Sequence, residues 1–165
     1  MDKEMNDKAR LLMNDARVMT LAVSDNDIPW SSPVYFVCHD NRFYFFSNEN
    51  SRHINYAKNQ KTVSASIFQD SDRIDLIFGF QMSGVLEKVS KKTLHLTVVR
   101  KYVSKFSFLK QIFGSQIIEN KQFFLEKFKS HLYCFCPGDV FLSDNSQAKD
   151  QTTGKRRTIE LNKIA

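Results

Sequence analysis

Glycine and proline are scarce in this chain, at five and three of 165 residues. So few breakers exclude a collagen-like repeat or a low-complexity linker, and they leave little room for long disorder. Cysteine is also rare. Cys38, Cys134 and Cys136 are an odd number with no metal-like pairing, which argues against a disulfide framework and suits a reducing compartment. Cys134 and Cys136 sit two apart in an apolar run, the spacing of two small residues on one face of a strand, with zinc or redox chemistry the lesser alternative. No uninterrupted apolar run reaches the roughly 20 residues needed to cross a bilayer. The opening MDKEMNDKARLLMNDARVM is charged throughout and lacks the apolar centre of a signal peptide. The expectation is a cytoplasmic protein. Also missing are the glycine-rich nucleotide loops, a helical His-Glu-x-x-His and a Gly-x-Ser-x-Gly elbow, so the common enzyme motifs give no lead.

What the chain does have is aromatic and basic. Fifteen Phe and five Tyr in a chain with 42% hydrophobic residues suffice for one well-packed domain, 1–165. The aromatic surplus implies either a very full core or a buried apolar interface. A net charge of +6 suits nucleic acid, an anionic membrane surface or a phosphorylated small molecule, and charge alone does not separate these.

Hydrophobic spacing predicts an amphipathic helix over 3–17, then strands over 18–23, 30–38 and 42–47 joined as a meander by polar turns. A helix over 51–59 follows, then strands over 62–68, 74–78 and 82–89, with Gly79 and Gly84 marking a bulge or a close backbone approach. Residues 90–113 read as a basic helical insertion and 122–130 as a shorter helix. The segments 132–137 and 140–143 read as a closing strand pair, and 158–164 as a last short strand. Helices peripheral to short strands in meander order describe a mainly β, α+β antiparallel barrel.

The chemistry concentrates between Arg42 and Gln60, RFYFFSNENSRHINYAKNQ. Alternation puts Phe43, Phe45 and Ser47 on one face of a strand and Tyr44 and Phe46 on the other, so Ser47 leaves the strand end where the chain swings into a helix. That helix opens Ser51-Arg52-His53, with two basic residues in a first turn that favours acids unless an anion is present. Asn48 or Asn50 can cap it, and Ser47, Ser51, Arg52 and His53 can converge on one phosphate. The plainer alternative is a surface pair between Arg52 and Glu49.

Through the run VYFVCHDNRFYFFSNENSRHINYAKNQKTVSASIF from Val34 to Phe68, and more weakly across most of the chain, the sequence resembles the pyridoxamine 5'-phosphate oxidase-related family of FMN-binding split barrels. The resemblance implies a six-stranded antiparallel split β-barrel with peripheral helices. It also implies a homodimer with FMN as cofactor in a cleft between subunits, and neither nucleic acid nor membrane as partner. Phe46 and Ser47 match the aromatic-hydroxyl pair that ends the family's third strand, and Ser51, Arg52 and His53 match its phosphate-holding triplet, with His where Lys is common. Ser31, Ser32, Pro33 and Val34, continuing through Tyr35 and Phe36, match the strand whose backbone lies along the flavin. Gln81, in Gly79-Phe80-Gln81-Met82-Ser83-Gly84, matches the Gly-x-Gln-x-x-Gly strand of an uncharacterised bacterial branch.

The oxidases proper carry basic residues where this chain has Ser31 and Phe36, which speaks against vitamin B6 oxidation. Trp30 either flanks the isoalloxazine or simply packs. Lys155, Arg156 and Arg157 lie near the late basic ligands of B6 oxidases. The resulting reading is an FMN-dependent oxidoreductase of unknown substrate, with a binding module for flavin, deazaflavin or haem as the alternative and a nucleic-acid binder a distant third.

Overall fold

The computed structural model describes residues 3–120, 122–146 and 155–164. Helix α1 (Lys3–Asn14) buries Ala9, Leu12 and Met13, as its periodic spacing requires. Strands β1 (Val18–Asp25) and β2 (Ile28–Tyr35) form a hairpin, as do β3 (Val37–His39) and β4 (Arg42–Asn48). Each turns on two residues with positive φ, Asn26-Asp27 and Asp40-Asn41, the geometry that matches strand twist. Helix α2 (Arg52–Lys58), β5 (Val63–Gln69), a short 3₁₀ turn (Ile74–Leu76) and β6 (Phe78–Lys88) follow. Four helices, α3 (Lys92–Lys105), α4 (Ser107–Phe113), α5 (Gln116–Glu119) and α6 (Phe123–Phe128), then precede β7 (Ser130–Asp144) and β8 (Lys155–Thr158).

All the strands belong to one antiparallel sheet in the order β2-β1-β5-β6-β7-β4-β3, with β8 also on β7. The split-barrel expectation holds, with eight strands among the described residues rather than six. The expected strand 30–38 is two strands broken at Phe36, so the first three strands are not one meander. Phe36 is fully buried and donates its N–H to Arg17 O at 3.2 Å. Its neighbours β2 and β3 stand at the two margins of the sheet order, and the backbone itself joins those margins.

Further expectations change for related reasons. Ile74–Leu76 is a 3₁₀ turn rather than a strand, and 78–88 is one strand. The expected pair 132–137 and 140–143 is the single strand β7, because β6 pairs with it along its length and absorbs Pro137 and Gly138 at an irregularity between Ser83 and Gly84. The last strand is β8, with a 3₁₀ turn at Leu161–Lys163 in place of the expected 158–164 strand. The composition of 144–155 predicts a polar, turn-rich tail, and 147–154 of it lie outside the described residues.

The barrel core gathers Met19, Leu21, Phe36, Phe43, Phe45, Phe80 and Phe135 with residues from α1, α2 and the tail. A second core lies on the other face of β3, β4 and β7, where Val37, Tyr44, Leu132 and Cys134 pack under α3 to α6. Twelve of the fifteen Phe are thus divided between two apolar layers. The basic insertion uses Val98, Val99, Tyr102 and Val103 for that second layer and leaves Arg100, Lys101 and Lys110 exposed.

Candidate functional site

Alternation along β4 sends Phe43 and Phe45 into the barrel and Tyr44 and Phe46 into the helical layer. Ser47 takes the barrel side at the strand's end and is buried, at 7% exposure. From there the chain turns through Asn48, whose side-chain oxygen accepts the Asn50 N–H at 2.8 Å, and enters α2. Ser51 is the residue before the helix and is extended, at φ −64° and ψ 147°, and no side chain caps the first turn. Neither Asn48 nor Asn50 is the cap, because Ser51 holds that position and the Asn48 side-chain oxygen is committed to the turn. The Asn50 backbone carbonyl accepts from Asn55 Nδ2. Ile54 and Ala57 fix the helix to the barrel end beside β1 and β2.

Three polar side chains meet at this point. Ser47 Oγ lies 3.0 Å from Ser51 Oγ and 2.9 Å from His53 Nε2, and Ser51 Oγ lies 3.3 Å from the same nitrogen. The Ser51 hydroxyl donates to Asn48 O at 2.7 Å, so towards its other two neighbours it can only accept. The Ser47 hydrogen is then directed to Ser51 or to His53, according to the imidazole tautomer. Burial pulls the His53 pKa down from its ordinary value, which favours the neutral ring at neutral pH.

Arg52 points outward from the same turn. Its Nε donates to Tyr56 OH at 2.8 Å, and its guanidinium carbon lies 4.4 Å from the Trp30 ring centre and 5.0 Å from that of Tyr56. Trp30 Nε1 in turn donates to Ser32 Oγ at 3.1 Å. The anticipated alternative, an Arg52 to Glu49 pair, does not form. Glu49 instead binds Lys88 at 3.0 Å and lies 3.5 Å from His131.

On β2, Ser32 and Val34 share the inward side with Trp30, and Val34 is buried, whereas Ser31 and Pro33 are exposed on the outer face. Register places Pro33 opposite Thr20, Thr20 opposite Ser66 and Ser66 opposite Gln81. Gln81 is therefore on one row with Pro33, three strand spacings or about 14 Å away, across a face of small residues. It makes no hydrogen bond to the Ser47 cluster among the described residues. The Phe46 side chain lies away from that cluster. It stacks on Phe124 with ring centres 3.7 Å apart and meets His95 and Tyr102 edge-on, so its side chain serves the helical layer. Sequence reasoning missed Tyr56 as the anchor of Arg52, although the i, i+4 spacing on α2 signalled it.

Cys134 and Cys136 are on one face as expected, with sulfurs 3.4 Å apart, and burial raises both thiol pKa values. Arg156 and Arg157 lie on β8, paired with Ser143 and Leu142 of β7. No helix among the described residues is long and apolar enough to cross a membrane.

The family profile described as pyridoxamine 5'-phosphate oxidase matches residues 5–130. No curated protein matches the sequence. Among solved structures, the chain is similar to a heme binding protein from Mycobacterium smegmatis, at 13% identity and TM-score 0.69, covering 98% of this chain and 60% of that one. It is also similar to a FAD-binding protein from Mesorhizobium loti, at 15% identity and TM-score 0.59, with 86% and 94% covered. A putative pyridoxamine 5'-phosphate oxidase from Listeria innocua gives 12% identity and TM-score 0.60, with 82% and 95% covered. At these identities the structures speak for the fold, and the profile match over most of the chain places the protein in the pyridoxamine 5'-phosphate oxidase-related split-barrel family.

Proposed function

We propose that this protein is an FMN-binding flavoprotein, acting as an FMN-dependent oxidoreductase and assembled as a cytoplasmic homodimer. The observation that carries the reading is the Ser47, Ser51 and His53 cluster set beside an Arg52 that is already oriented. These groups fit a phosphate. Tyr56 holds Arg52 Nε and Trp30 underlies the guanidinium, which leaves the two terminal nitrogens to fork onto phosphate oxygens. Ser47 and Ser51 add hydroxyls that can rotate toward the same anion.

The ring would lie against the β2 backbone from Ser31 to Val34. The small-residue row that ends in Gln81 offers a flat face, and the Gln81 amide can both donate and accept there. When bound, flavin supplies hydride or electron exchange, while the protein binds, orients and excludes water. Exposed Tyr35 and Phe68 lie on this face, and their coverage by a second copy is what a cleft between subunits requires.

Arg52→Ala is expected to raise the FMN dissociation constant roughly thirtyfold, about 2 kcal/mol for a charged hydrogen-bonded contact. Fluorescence titration measures it, with far-UV circular dichroism to verify the fold. Unchanged affinity in a folded variant would remove the phosphate assignment.

His53→Lys tests the unusual member of the triplet. The lowered His53 pKa means that the ring gains its proton only as pH falls below its ordinary value of 6.5. Wild-type FMN affinity should therefore gain on that of the Lys variant as pH is lowered through this window, because lysine is charged throughout. Above it the variant should bind more tightly. The phosphate of FMN titrates in the same region, with pKa near 6, but does so equally for both proteins. The difference between the two profiles is the readout, and parallel profiles would place His53 outside the phosphate shell.

A second reading, a non-catalytic haem or flavin carrier, is favoured by the heme-binding mycobacterial structure. The visible spectrum of the purified protein separates the chromophores. Repeated reduction and reoxidation of bound flavin by nicotinamide donors then separates turnover from storage.

A further inference from the structure

Strand β7 carries a pair of thiols that the flavin reading leaves unused. Cys134 and Cys136 are two apart on one strand, so both side chains leave the sheet on the same side, toward the helical layer. Their sulfurs lie 3.4 Å apart. Cys134 is buried, whereas Cys136 is half-buried and opens to solvent beside Glu87, whose exposed carboxylate accepts the Cys136 S–H at 3.7 Å. Tyr44, opposite Cys134 on β4, hydrogen-bonds the Cys134 sulfur. The Arg42 cation acts on both thiols and favours their anionic forms against the burial that opposes them.

Geometry separates the chemistries open to such a pair. A disulfide needs Cβ atoms about 3.5–4.5 Å apart. Positions i and i+2 of an extended strand are about 6.6 Å apart with their Cα–Cβ bonds parallel, so joining the sulfurs directly would pull the strand out of its pleat. β7 is held against that on both sides, since Cys134 pairs with Tyr44 of β4 and with Glu87 of β6. An atom between the sulfurs removes the conflict. Two metal–thiolate bonds of about 2.3 Å bridge the present 3.4 Å when bent and up to about 4.6 Å when straight, a range that rotation of the two side chains covers. Structural zinc takes four ligands, and among the described residues no group of three or more His, Cys, Asp or Glu is arranged to hold a metal ion. Two thiolates alone do satisfy a soft monovalent ion with a filled d shell, for which sulfur is the preferred donor.

We propose that Cys134 and Cys136 form a two-coordinate site for copper(I), with Cys136 as the point of entry and Tyr44 and Arg42 as its outer support. The ion replaces the two thiol hydrogens, which leave to solvent as protons, that of Cys136 by way of Glu87, and the copper stays in its monovalent state. The ligated pair then carries a single negative charge, which Arg42 balances. The site shares no residue with the α2 turn and does not depend on the flavin reading.

The test uses the full chain, reduced and kept under nitrogen, with copper(I) supplied as its bicinchoninate complex, whose colour fades as the protein takes the ion. Wild type should remove one copper per chain, and Cys38→Ser should do the same. Cys134→Ser and Cys136→Ser should each weaken binding by more than the roughly 10- to 100-fold that loss of an outer partner costs. Copper K-edge absorption of the loaded protein should show two sulfur neighbours and no nitrogen or oxygen. Failure of wild type to compete with bicinchoninate would overturn the proposal, as would unchanged uptake in the double variant Cys134→Ser, Cys136→Ser. A loss in Cys38→Ser as large as that in Cys136→Ser would also overturn it, because the copper would then be spread over the thiols in general. Retention of zinc(II) against a chromogenic chelator would overturn the choice of a soft ion. Where a serine variant fails to fold, alkylation of wild type by iodoacetamide decides: bound copper(I) should block Cys136, and an unchanged rate there would overturn the site.

Discussion

Gly84→Ala should destabilise the fold by about 3 kcal/mol, at the upper end of what overpacking a well-filled interior costs. A Cβ at this position would collide with the Cys136 carbonyl oxygen and come within 2.9 Å of Pro137 Cα. Both are backbone atoms of the adjacent strand, so no side chain can swing aside. Gly84 sits where the β6–β7 register shifts, and its missing side chain is what lets the strands approach through the irregularity. Urea unfolding followed by circular dichroism should show a lower midpoint with an unchanged slope. Gly138→Ala is the matched control. A Cβ there would meet only Ser83 O at 3.7 Å, an ordinary contact, so its midpoint should hardly move. Equal effects at the two glycines would refute the steric account.

The larger effect is expected at Phe106. Its side chain is fully buried at the joint between α3 and α4. Its ring packs against Tyr35 at 5.3 Å, Tyr102 at 5.0 Å and Phe108 at 6.0 Å, and the Arg17 guanidinium lies 5.2 Å above it. Truncation removes the apolar burial and leaves a cavity that neighbouring rings cannot fill without rotating, so Phe106→Ala should cost about 4 kcal/mol. The damage should concentrate in the helical layer. Tyr102 belongs to it and also donates its hydroxyl to Tyr35 O, tying α3 to the end of β2. Hydrogen exchange should therefore rise most in α3 and α4, while β5 and β6 stay protected relative to global stability. Uniform loss of protection would mean that the two apolar layers unfold as one.

Much of this architecture was legible in the residues. Asn26-Asp27 and Asp40-Asn41 announce two-residue hairpins because Asn and Asp tolerate positive φ. Val63, Ala65 and Ile67 alternate with polar neighbours and form a strand with one buried face. The strand count was harder to read. Phe36 lies between one strand and the next with no glycine or proline beside it to mark the break, and only the sheet order reveals it. Pro137-Gly138 looks like a turn, yet the long partner strand β6 carries the chain through it. Tertiary pairing overrides local punctuation at both places.

The site was partly legible in the same sense. Ser47, Ser51 and His53 do meet, because the strand end and the helix start are close in sequence and alternation fixes Ser47 inward. Phe46 is a different case. Its side chain belongs to a helical layer that includes His95, Tyr102 and Phe124, far along the chain, and local pattern carries no trace of those partners.

The single-residue joint at Phe36 also bears on how the chain reaches its native state. The hairpins on either side of it are local and can form within about ten microseconds. They nevertheless belong at opposite margins of the sheet, and they are bridged only when β1 finds β5 and β4 finds β7 across the whole helical insertion. The slow step should then be a ring closure between elements already formed, with the loop entropy of the insertion setting the rate.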